Sequence, residues 1–183
     1  MHHPFLIGKK VYLRGIEEED LSGPYFQWLN DQESDMYTTH AIWPNSMTKM
    51  RAFFDRISDS RTDLVLAIIE CTTDKHIGNV GLHDINWVHR YATAAILVGD
   101  TEARGKGYGT EAVRILAEHA FARLNLNRVQ LGVRGDNIAA IRAYKAAGFT
   151  EEGVFRRAQY GAGKYHDVVR MARLCTDMTE QEK

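Results

Sequence analysis

A glycine-rich basic loop, Arg104 to Thr110, lies between a predicted strand and a predicted helix. The strand ends near Val98, and the helix runs from about Gly107 to Leu124. A helix N-terminus carries unpaired backbone N–H groups and the positive end of the helix dipole, and glycines let a phosphate approach that backbone closely. The loop therefore predicts a site for a phosphate-bearing ligand; the plainer alternative is a flexible basic turn.

Two common nucleotide-binding motifs do not fit this loop. A Walker A motif needs the pattern G-x-x-x-x-G-K-[ST], but Gly99 and Gly105 are one residue too far apart, and Lys106 is followed by glycine, which leaves no hydroxyl for Mg²⁺. A relaxed dinucleotide fingerprint, G-x-G-x-x-A, does begin at Gly107. However, the next predicted strand ends at Arg134 without an acidic residue for a ribose, and only one helix follows it. The sequence therefore does not favour an ATPase or a dehydrogenase.

The order of predicted elements indicates one mixed α/β domain. Apolar runs of strand length in the middle of the chain predict an antiparallel meander, and apolar residues at helical spacing surround it. The predicted strands are Val11–Arg14, Leu64–Cys71, Ile77–Ile85, Ala92–Val98, Arg128–Arg134, Glu152–Arg157 and Lys164–Leu174, and the predicted helices cover about 17–29, 46–57, 107–124 and 137–147. We expect the domain to span residues 1–175, with a polar tail at 176–183.

Composition narrows the classes of function. The 183 residues carry a formal net charge of -1, which provides no general basic field for nucleic acid. No apolar run approaches the roughly 20 residues of a membrane-spanning helix, so no membrane partner is expected. The two cysteines, Cys71 and Cys175, are distant in sequence and have no nearby second ligand, so neither a disulfide nor a metal site is expected, and a reducing cytoplasm is the predicted location. Cys71 ends an apolar run and is expected to be buried.

A second motif follows the glycine loop and identifies a family. The loop matches the pattern [RQ]-x-x-G-x-[GA], and a downstream segment matches N-x-x-A-x-x-x-Y-x-x-x-G-F. Together they resemble the GCN5-related N-acetyltransferase (GNAT) superfamily, and the surrounding segments resemble its RimJ/RimL-type branch, with some similarity to polyamine acetyltransferases. The residues that carry the resemblance are Arg104, Gly107, Gly109, Asn137, Ala140, Tyr144, Gly148 and Phe149.

The resemblance implies a fold and a cosubstrate. The fold is a mostly antiparallel central sheet that splays open between two parallel strands, with helices on both sides and a bulge in the strand before the loop. Acetyl-CoA would lie in the opening, with its pyrophosphate on the loop, its pantetheine arm near Asn137, and Tyr144 as the acid that protonates the departing thiolate. The implied cofactor-binding residues are Leu97, Val98, Gly99, Arg104, Gly105, Lys106, Gly107, Tyr108, Gly109, Thr110, Asn137, Ala140 and Tyr144.

The general base departs from the family pattern. Many relatives carry a glutamate on the strand before the loop, where this sequence has Thr93 or Ala94. His83 and Asp84 on the preceding strand are candidate substitutes, as are Glu33 or Asp35, and a water chain is a further alternative. A histidine titrates near neutral pH and therefore suits this role, although a strand histidine is more often structural.

The acceptor is the least specified part of the prediction. Trp28, Glu33, Tyr37 and His83 are candidate substrate-binding residues, because acidic and aromatic side chains suit a cationic amine. Either a small amine or a protein N-terminus is compatible with the sequence, and a homodimer is left open. The competing hypothesis, motivated by the missing strand carboxylate, is a CoA-binding module without acetyl transfer.

Overall fold

A computed structural model describes residues 3–31, 37 and 42–177 of the chain. Its strands are β1 (Leu6–Ile7), β2 (Val11–Gly15), β3 (Leu64–Glu70), β4 (His76–Asn86), β5 (Tyr91–Val98), β6 (Arg128–Arg134), β7 (Thr150–Gly161) and β8 (Lys164–Leu174). Its α-helices are α1 (Pro24–Trp28), α2 (Met47–Ser58), α3 (Tyr108–Ala122) and α4 (Ile138–Ala146), and short 3-10 helices occupy Glu18–Ser22, Thr101–Ala103 and Cys175–Asp177.

These strands form one sheet in the order β1-β2-β3-β4-β5-β6-β8-β7. Every neighbouring pair is antiparallel except β5 and β6, which are parallel. A parallel pair needs a crossover connection, and α3 provides it by leaving the end of β5 and returning the chain to the start of β6. The mixed, mostly antiparallel α/β fold predicted from the sequence is confirmed.

The parallel pair opens along its length. β5 and β6 are paired only at their first residues, from Tyr91↔Arg128 to Thr93↔Gln130. Beyond Thr93, β5 remains paired with β4 as far as Val98, while β6 remains paired with β8 as far as Arg134. The two facing strand edges therefore diverge and leave backbone groups on each side of the gap without a strand partner.

The bulge implied by the family resemblance is not in β5. The register of β5 on β4 runs without a shift from Gly78↔Val98 to His83↔Thr93. The irregularity lies in β4 between His83 and Asn86, where Asp84 takes a positive φ of 52°. The extra residue is therefore on β4. The sheet opens at β5 because β5 and β6 diverge, without a bulge in β5.

The two faces of β4 and β5 pack against different parts of the chain. Val80 and Leu82, with Ala94 opposite, belong to the main core that also contains the buried side of α3. Alternate residues point to the opposite face, where Leu97 packs with Tyr25 and Met50 beneath α1 and α2. Asn79, Gly81 and His83 lie on this second face, because residues two apart on a strand face the same way.

Three local predictions were wrong, each for a physical reason. The helix expected from residue 17 to 29 is divided into a 3-10 turn and α1, because Gly23 is extended and Pro24 starts a new helix. The final hairpin is tighter than expected, since β7 continues to Gly161 and only Ala162 and Gly163 form the turn. Cys71 is exposed rather than buried, because it lies just beyond β3.

Candidate active site

The predicted anion loop connects the open edge of β5 to the start of α3. Gly105 and Gly107 both have left-handed backbone conformations, with φ of 76° and 85°, which side chains with a Cβ rarely adopt. Gly107 is the N-cap of α3, and the first intrahelical bond runs from Glu111 N–H to the Gly107 carbonyl at 3.1 Å. The N–H groups of the first turn of α3 are thus directed toward the loop, as an anion site requires.

Glycine is needed where this loop approaches the sheet. A Cβ on Gly109 would lie 3.2 Å from Val98 Cγ2 and 3.3 Å from Ile96 Cδ1, so the start of α3 packs closely on β5. A Cβ on Gly99 would lie 2.0 Å from the ring of Trp28, so that ring packs directly on the backbone where β5 ends. The loop and the open strand edge are therefore held together as one unit.

The turn between β1 and β2 braces the loop and contributes a cation that the sequence did not indicate. The Glu111 carboxylate accepts hydrogen bonds from the backbone N–H groups of Lys9, Lys10 and Val11 at 3.0, 2.7 and 3.0 Å. Burial alone would raise the pKa of Glu111, but these donors lower it below its ordinary value. Lys10 Nζ donates to the Lys106 carbonyl at 2.9 Å, which places a third basic side chain beside the loop.

The Asn/Tyr signature lies on α4, which follows β6. Asn137 is the N-cap, and its Oδ1 accepts from Ala140 N–H at 3.1 Å, so its amide NH₂ is turned away from the helix. Tyr144, two turns further along, packs on the main core with its ring 6.0 Å from that of Phe149. Burial raises the pKa of Tyr144 to about 12, so the phenol keeps its proton throughout the physiological range.

A cavity of about 210 Å³ lies on the second face of the sheet, beneath α1 and α2. Its floor is made by β4 and β5, where Gly81 and Ala95 are opposite each other and leave space above the sheet. The lining residues are Tyr25, Leu29, Asn45, Lys49, Met50, Phe53, Val65, Asn79, Val80, Gly81, His83, Ala95, Ile96 and Leu97.

His83 reaches this cavity with its orientation set by Asp63. Its Nδ1 lies 2.8 Å from Asp63 Oδ1, and a Cβ on Gly81 would lie 3.1 Å from its Nε2. Burial raises the pKa of Asp63, but hydrogen bonds from His83 and from Ser60 lower it below its ordinary value, so the carboxylate is ionised. An ionised carboxylate accepts only, so His83 Nδ1 carries a proton and Nε2 is the nitrogen directed over Gly81.

Asp63 is a residue that the sequence analysis missed. It precedes β3, and the pairing of Leu64 with Leu82 brings it beside His83, which is 20 residues later in the chain. Only the register of β3 on β4 brings Asp63 and His83 together, so no local sequence pattern indicated Asp63. Thr93, one of the two positions at which the family resemblance implies a glutamate, is paired with His83 on the neighbouring strand.

The remaining predicted residues are dispersed. Asp84 is exposed and lies outside the cavity lining. Trp28 stands at the end of β5, with its ring 5.2 Å from that of His76. The Arg134 guanidinium, at the end of β6, lies over the Tyr37 ring with its carbon 4.7 Å from the ring centre. Glu33 and Asp35 lie outside the described residues.

The sheet is mostly antiparallel and opens at its one parallel pair, and a helix start suited to anions follows the opened strand. These features define the class of CoA-dependent acyltransferases that the two motifs implied. Residues 10–150 match the family model described as Acetyltransferase (GNAT) domain. The chain belongs to the GNAT acetyltransferase family, of RimJ/RimL type, and is an acetyl-CoA-dependent N-acetyltransferase.

Known proteins resemble the chain over most of its length. The spermidine N(1)-acetyltransferase of Escherichia coli strain K12 is 30% identical over 161 residues, which cover 88% of this chain and 84% of that protein. The probable N-acetyltransferase YjcK of Bacillus subtilis is 29% identical over 164 residues, covering 83% of this chain and 87% of the relative. The crystal structure of Vibrio cholerae spermidine N-acetyltransferase in complex with CoA and spermine superposes with a TM-score of 0.84, at 25% identity, covering 93% of this chain and 98% of that one.

The described residues contain neither a candidate membrane-spanning helix nor a cluster of metal-ligating side chains. None of the helices there is both long and apolar enough to cross a bilayer. Within the same ranges, no group of three or more His, Cys, Asp or Glu side chains is arranged to hold a metal ion.

Proposed function

We propose that the protein transfers an acetyl group directly from acetyl-CoA to a primary amine, in a ternary complex and without an acetyl-enzyme intermediate. The observation that carries this proposal is the coincidence of three features at one end of β5: the open strand edge, the anion loop and the cavity floor. A donor bound along the edge and an acceptor bound in the cavity would meet there. Such an arrangement supplies the proximity that a bimolecular transfer needs.

The residues present fit acetyl-CoA. The open edge around Leu97, Val98 and Gly99 offers backbone groups without a strand partner, and the left-handed glycines leave room for a pyrophosphate on the Arg104–Thr110 loop. The NH₂ of Asn137, at the start of α4 with Ala140, would contact the pantetheine arm. When bound, acetyl-CoA supplies an activated thioester. Backbone N–H groups fixed in β5 would stabilise the oxyanion without reorganisation.

Tyr144 is the proposed acid. Because burial raises its pKa to about 12, the hydroxyl remains protonated at neutral pH and is available to the sulfur as negative charge develops there. Burial is the cause of this raised pKa, and no hydrogen bond from a described residue contributes to it.

His83 is the proposed base, and Asp63 is its positioning residue. With Nδ1 donating to Asp63, the Nε2 lone pair is directed into the acceptor cavity and can accept a proton from an amine or from an intervening water. The ionised carboxylate would stabilise the imidazolium that forms. This pair would take the place of the absent strand glutamate. The absence of that glutamate therefore no longer favours a CoA-binding module without transfer.

The kind of amine that accepts the acetyl group is a further part of this proposal, beyond the family assignment. Relatives are named for spermidine, so polyamines are the first acceptors to test, alongside amino-terminal peptides. His83 is the proposed acceptor contact that lines the cavity, and Trp28 and Tyr37 are further proposed contacts that lie outside its lining. The proposal for Glu33 falls outside the described residues.

The test of this function measures CoA release with a thiol reporter across a panel of amines. We predict amine-dependent release, and we predict that Tyr144→Phe lowers kcat by about 100-fold, the loss typical of a missing general acid, with acetyl-CoA stabilisation retained. Tyr165→Phe is the matched control, because Tyr165 is 57% exposed on the final hairpin. Turnover of Tyr144→Phe equal to that of the control would remove the proposed acid.

A further inference from the structure

The peptide that joins Lys106 to Gly107 lies in the middle of the anion loop, between two residues with unusual backbone freedom. Gly105 and Gly107 both have positive φ, but glycine adopts negative φ about as readily. Rotation of this peptide plane by half a turn would exchange the directions of its carbonyl and its N–H. The local sequence therefore does not by itself select the orientation that the structure shows.

Lys10 makes the contact that selects it. Its Nζ donates a hydrogen bond to the Lys106 carbonyl at 2.9 Å, and a Cβ on Gly107 would lie 3.3 Å from the same nitrogen. Because a trans peptide places its carbonyl and its N–H on opposite sides, the Gly107 N–H is directed away from the ammonium group. Lys10 therefore holds the carbonyl on one side and leaves the N–H on the other.

The Gly107 N–H belongs to a group of converging donors. Gly107 is left-handed, with φ of 85° and ψ of 4°, and Tyr108 begins α3 with the opposite hand. A change of hand between successive residues turns their N–H groups toward one concavity, which is called a nest and binds anions. The N–H groups of Gly107, Tyr108 and Gly109 form this nest, and Lys10 lies behind it rather than in it.

The backbone of Lys10 is itself fixed in place. Its N–H donates to Glu111 Oε2 at 2.7 Å, and its carbonyl accepts from Cys71 N–H at 2.9 Å. Glu111 is in the first turn of α3, so the turn that carries Lys10 is attached to the same helix start as the nest. A Cβ on Gly8 would lie 2.8 Å from Glu111 Cδ, so this turn packs closely on the carboxylate. Only the side chain of Lys10 has to be ordered for its ammonium to reach the loop.

An ammonium group in this place favours an anion in the nest. A hydrogen bond to a carbonyl polarises the peptide, so the N–H at its other end becomes a stronger donor. The charge of Lys10 also lies near the N-terminus of α3, where the helix dipole already favours an anion. Both effects increase the affinity for a phosphate that Lys10 does not itself contact.

We propose that Lys10 is a positioning residue for the cosubstrate: through its hydrogen bond to the Lys106 carbonyl, it fixes and polarises the peptide whose N–H faces the pyrophosphate of acetyl-CoA. This inference rests on the proposed binding of acetyl-CoA at the Arg104–Thr110 loop. Neither family motif includes Lys10, which precedes Lys106 by 96 residues.

The test compares two adjacent lysines of one turn. Lys10→Met removes the ammonium and keeps the length of the side chain. Lys9→Met makes the same change of charge one residue earlier, where the N–H also donates to Glu111, at 3.0 Å. Calorimetry with CoA is expected to show about a tenfold rise in Kd for Lys10→Met, the lower end of the effect of a hydrogen bond to a charged group, because Lys10 is exposed. We expect at most about a twofold rise for Lys9→Met, which removes only a distant, screened charge.

Three measurements show how Lys10 acts. In NMR spectra of the protein without ligand, the Gly107 amide resonance is expected to move in Lys10→Met and to stay in place in Lys9→Met, because an amide resonance responds to a donor on the preceding carbonyl. Dephospho-CoA, which keeps the pyrophosphate and lacks the ribose phosphate, should show the same loss as CoA. In turnover, the loss should appear in the KM for acetyl-CoA and not in kcat.

Each of three results overturns the proposal. Equal Kd values for the two variants remove any role of Lys10 in binding. A loss with CoA that is absent with dephospho-CoA shows a direct contact to the ribose phosphate instead. An unmoved Gly107 amide resonance shows that Lys10 does not act through this peptide, even if CoA binding weakens.

The failure of the inference is distinguishable from failure of the proposed function. If the native protein binds CoA and transfers acetyl groups while the two variants behave alike, the proposed function stands and the role of Lys10 is wrong. If the native protein does not bind CoA, both are overturned. Both variants are expected to unfold at the native urea midpoint, because both side chains are exposed, so weaker binding is not a loss of fold.

Discussion

Replacement of Asp63 by asparagine tests how the acceptor site makes its base. In the native protein, an ionised carboxylate 2.8 Å from His83 Nδ1 fixes the tautomer and faces the imidazolium that forms when Nε2 takes up a proton. An asparagine of the same shape can present either its oxygen or its NH₂ to the ring, and it carries no charge. Asp63→Asn therefore perturbs the proposed base without touching the cavity or the cofactor loop.

The magnitude follows from the geometry of this pair. A hydrogen bond to a charged group contributes about 1.5–3 kcal/mol. The Asp63 and His83 side chains retain 14% and 31% of their exposure, so the lower part of that range applies. A loss of about 1.5–2 kcal/mol of transition-state stabilisation corresponds to a fall in kcat of about 10- to 30-fold.

The assay is steady-state CoA release at saturating acetyl-CoA, with the amine varied. We expect kcat to fall and the KM for acetyl-CoA to stay constant, because the cofactor loop is unaffected. Arg56→Met is the control: Arg56 lies 3.0 Å from the other oxygen of Asp63, but its side chain is 54% exposed, so it contributes under about 1 kcal/mol. If Asp63→Asn behaves like this control, Asp63 does not position a base, and proton removal through water becomes the better account.

Two further predictions concern the frame around the site. In Gly99→Ala, the new Cβ would overlap the Trp28 ring at 2.0 Å, so we expect about 1–3 kcal/mol of destabilisation and weaker acetyl-CoA binding in calorimetry. Both effects should be relieved by adding Trp28→Leu, and unchanged binding would contradict the packing argument. Asp20→Asn leaves a buried Arg14 without its counter-charge, so we expect about 3 kcal/mol lower stability at pH 7 in urea denaturation. Although burial raises the pKa of Asp20, its bonds to Arg14 and His76 lower it far below its ordinary value. The native protein should therefore lose this stability as pH falls below about 4, whereas Asp20→Asn should show a flatter profile.

The parts of the site that the sequence predicted are local. The glycine loop, the N-cap at Asn137 and the position of Tyr144 each depend on residues within two or three helical turns, so spacing alone could place them. The open parallel pair was implied by the resemblance of the two motifs to the acetyltransferase family, and the structure contains it.

The parts that the sequence could not predict depend on strand register. Asp63 meets His83, Asn79 meets His76, and Lys10 meets the loop only because the sheet brings distant segments together. Pattern gives the alternation of faces within one strand, but a shift of one residue between strands would exchange the cavity face for the core face. The two-residue β1 is likewise too short to leave a periodic signal.

Direct transfer of the acetyl group is tested by measuring both products of the reaction together. The protein is incubated with isotopically labelled acetyl-CoA, with and without a primary amine, and CoA, N-acetyl-amine and intact protein mass are quantified. Direct transfer predicts equal amounts of CoA and labelled N-acetyl-amine, formed only when the amine is present, and no mass increase of the protein. CoA release without the amine, or a labelled protein that passes its acetyl group on, would contradict it.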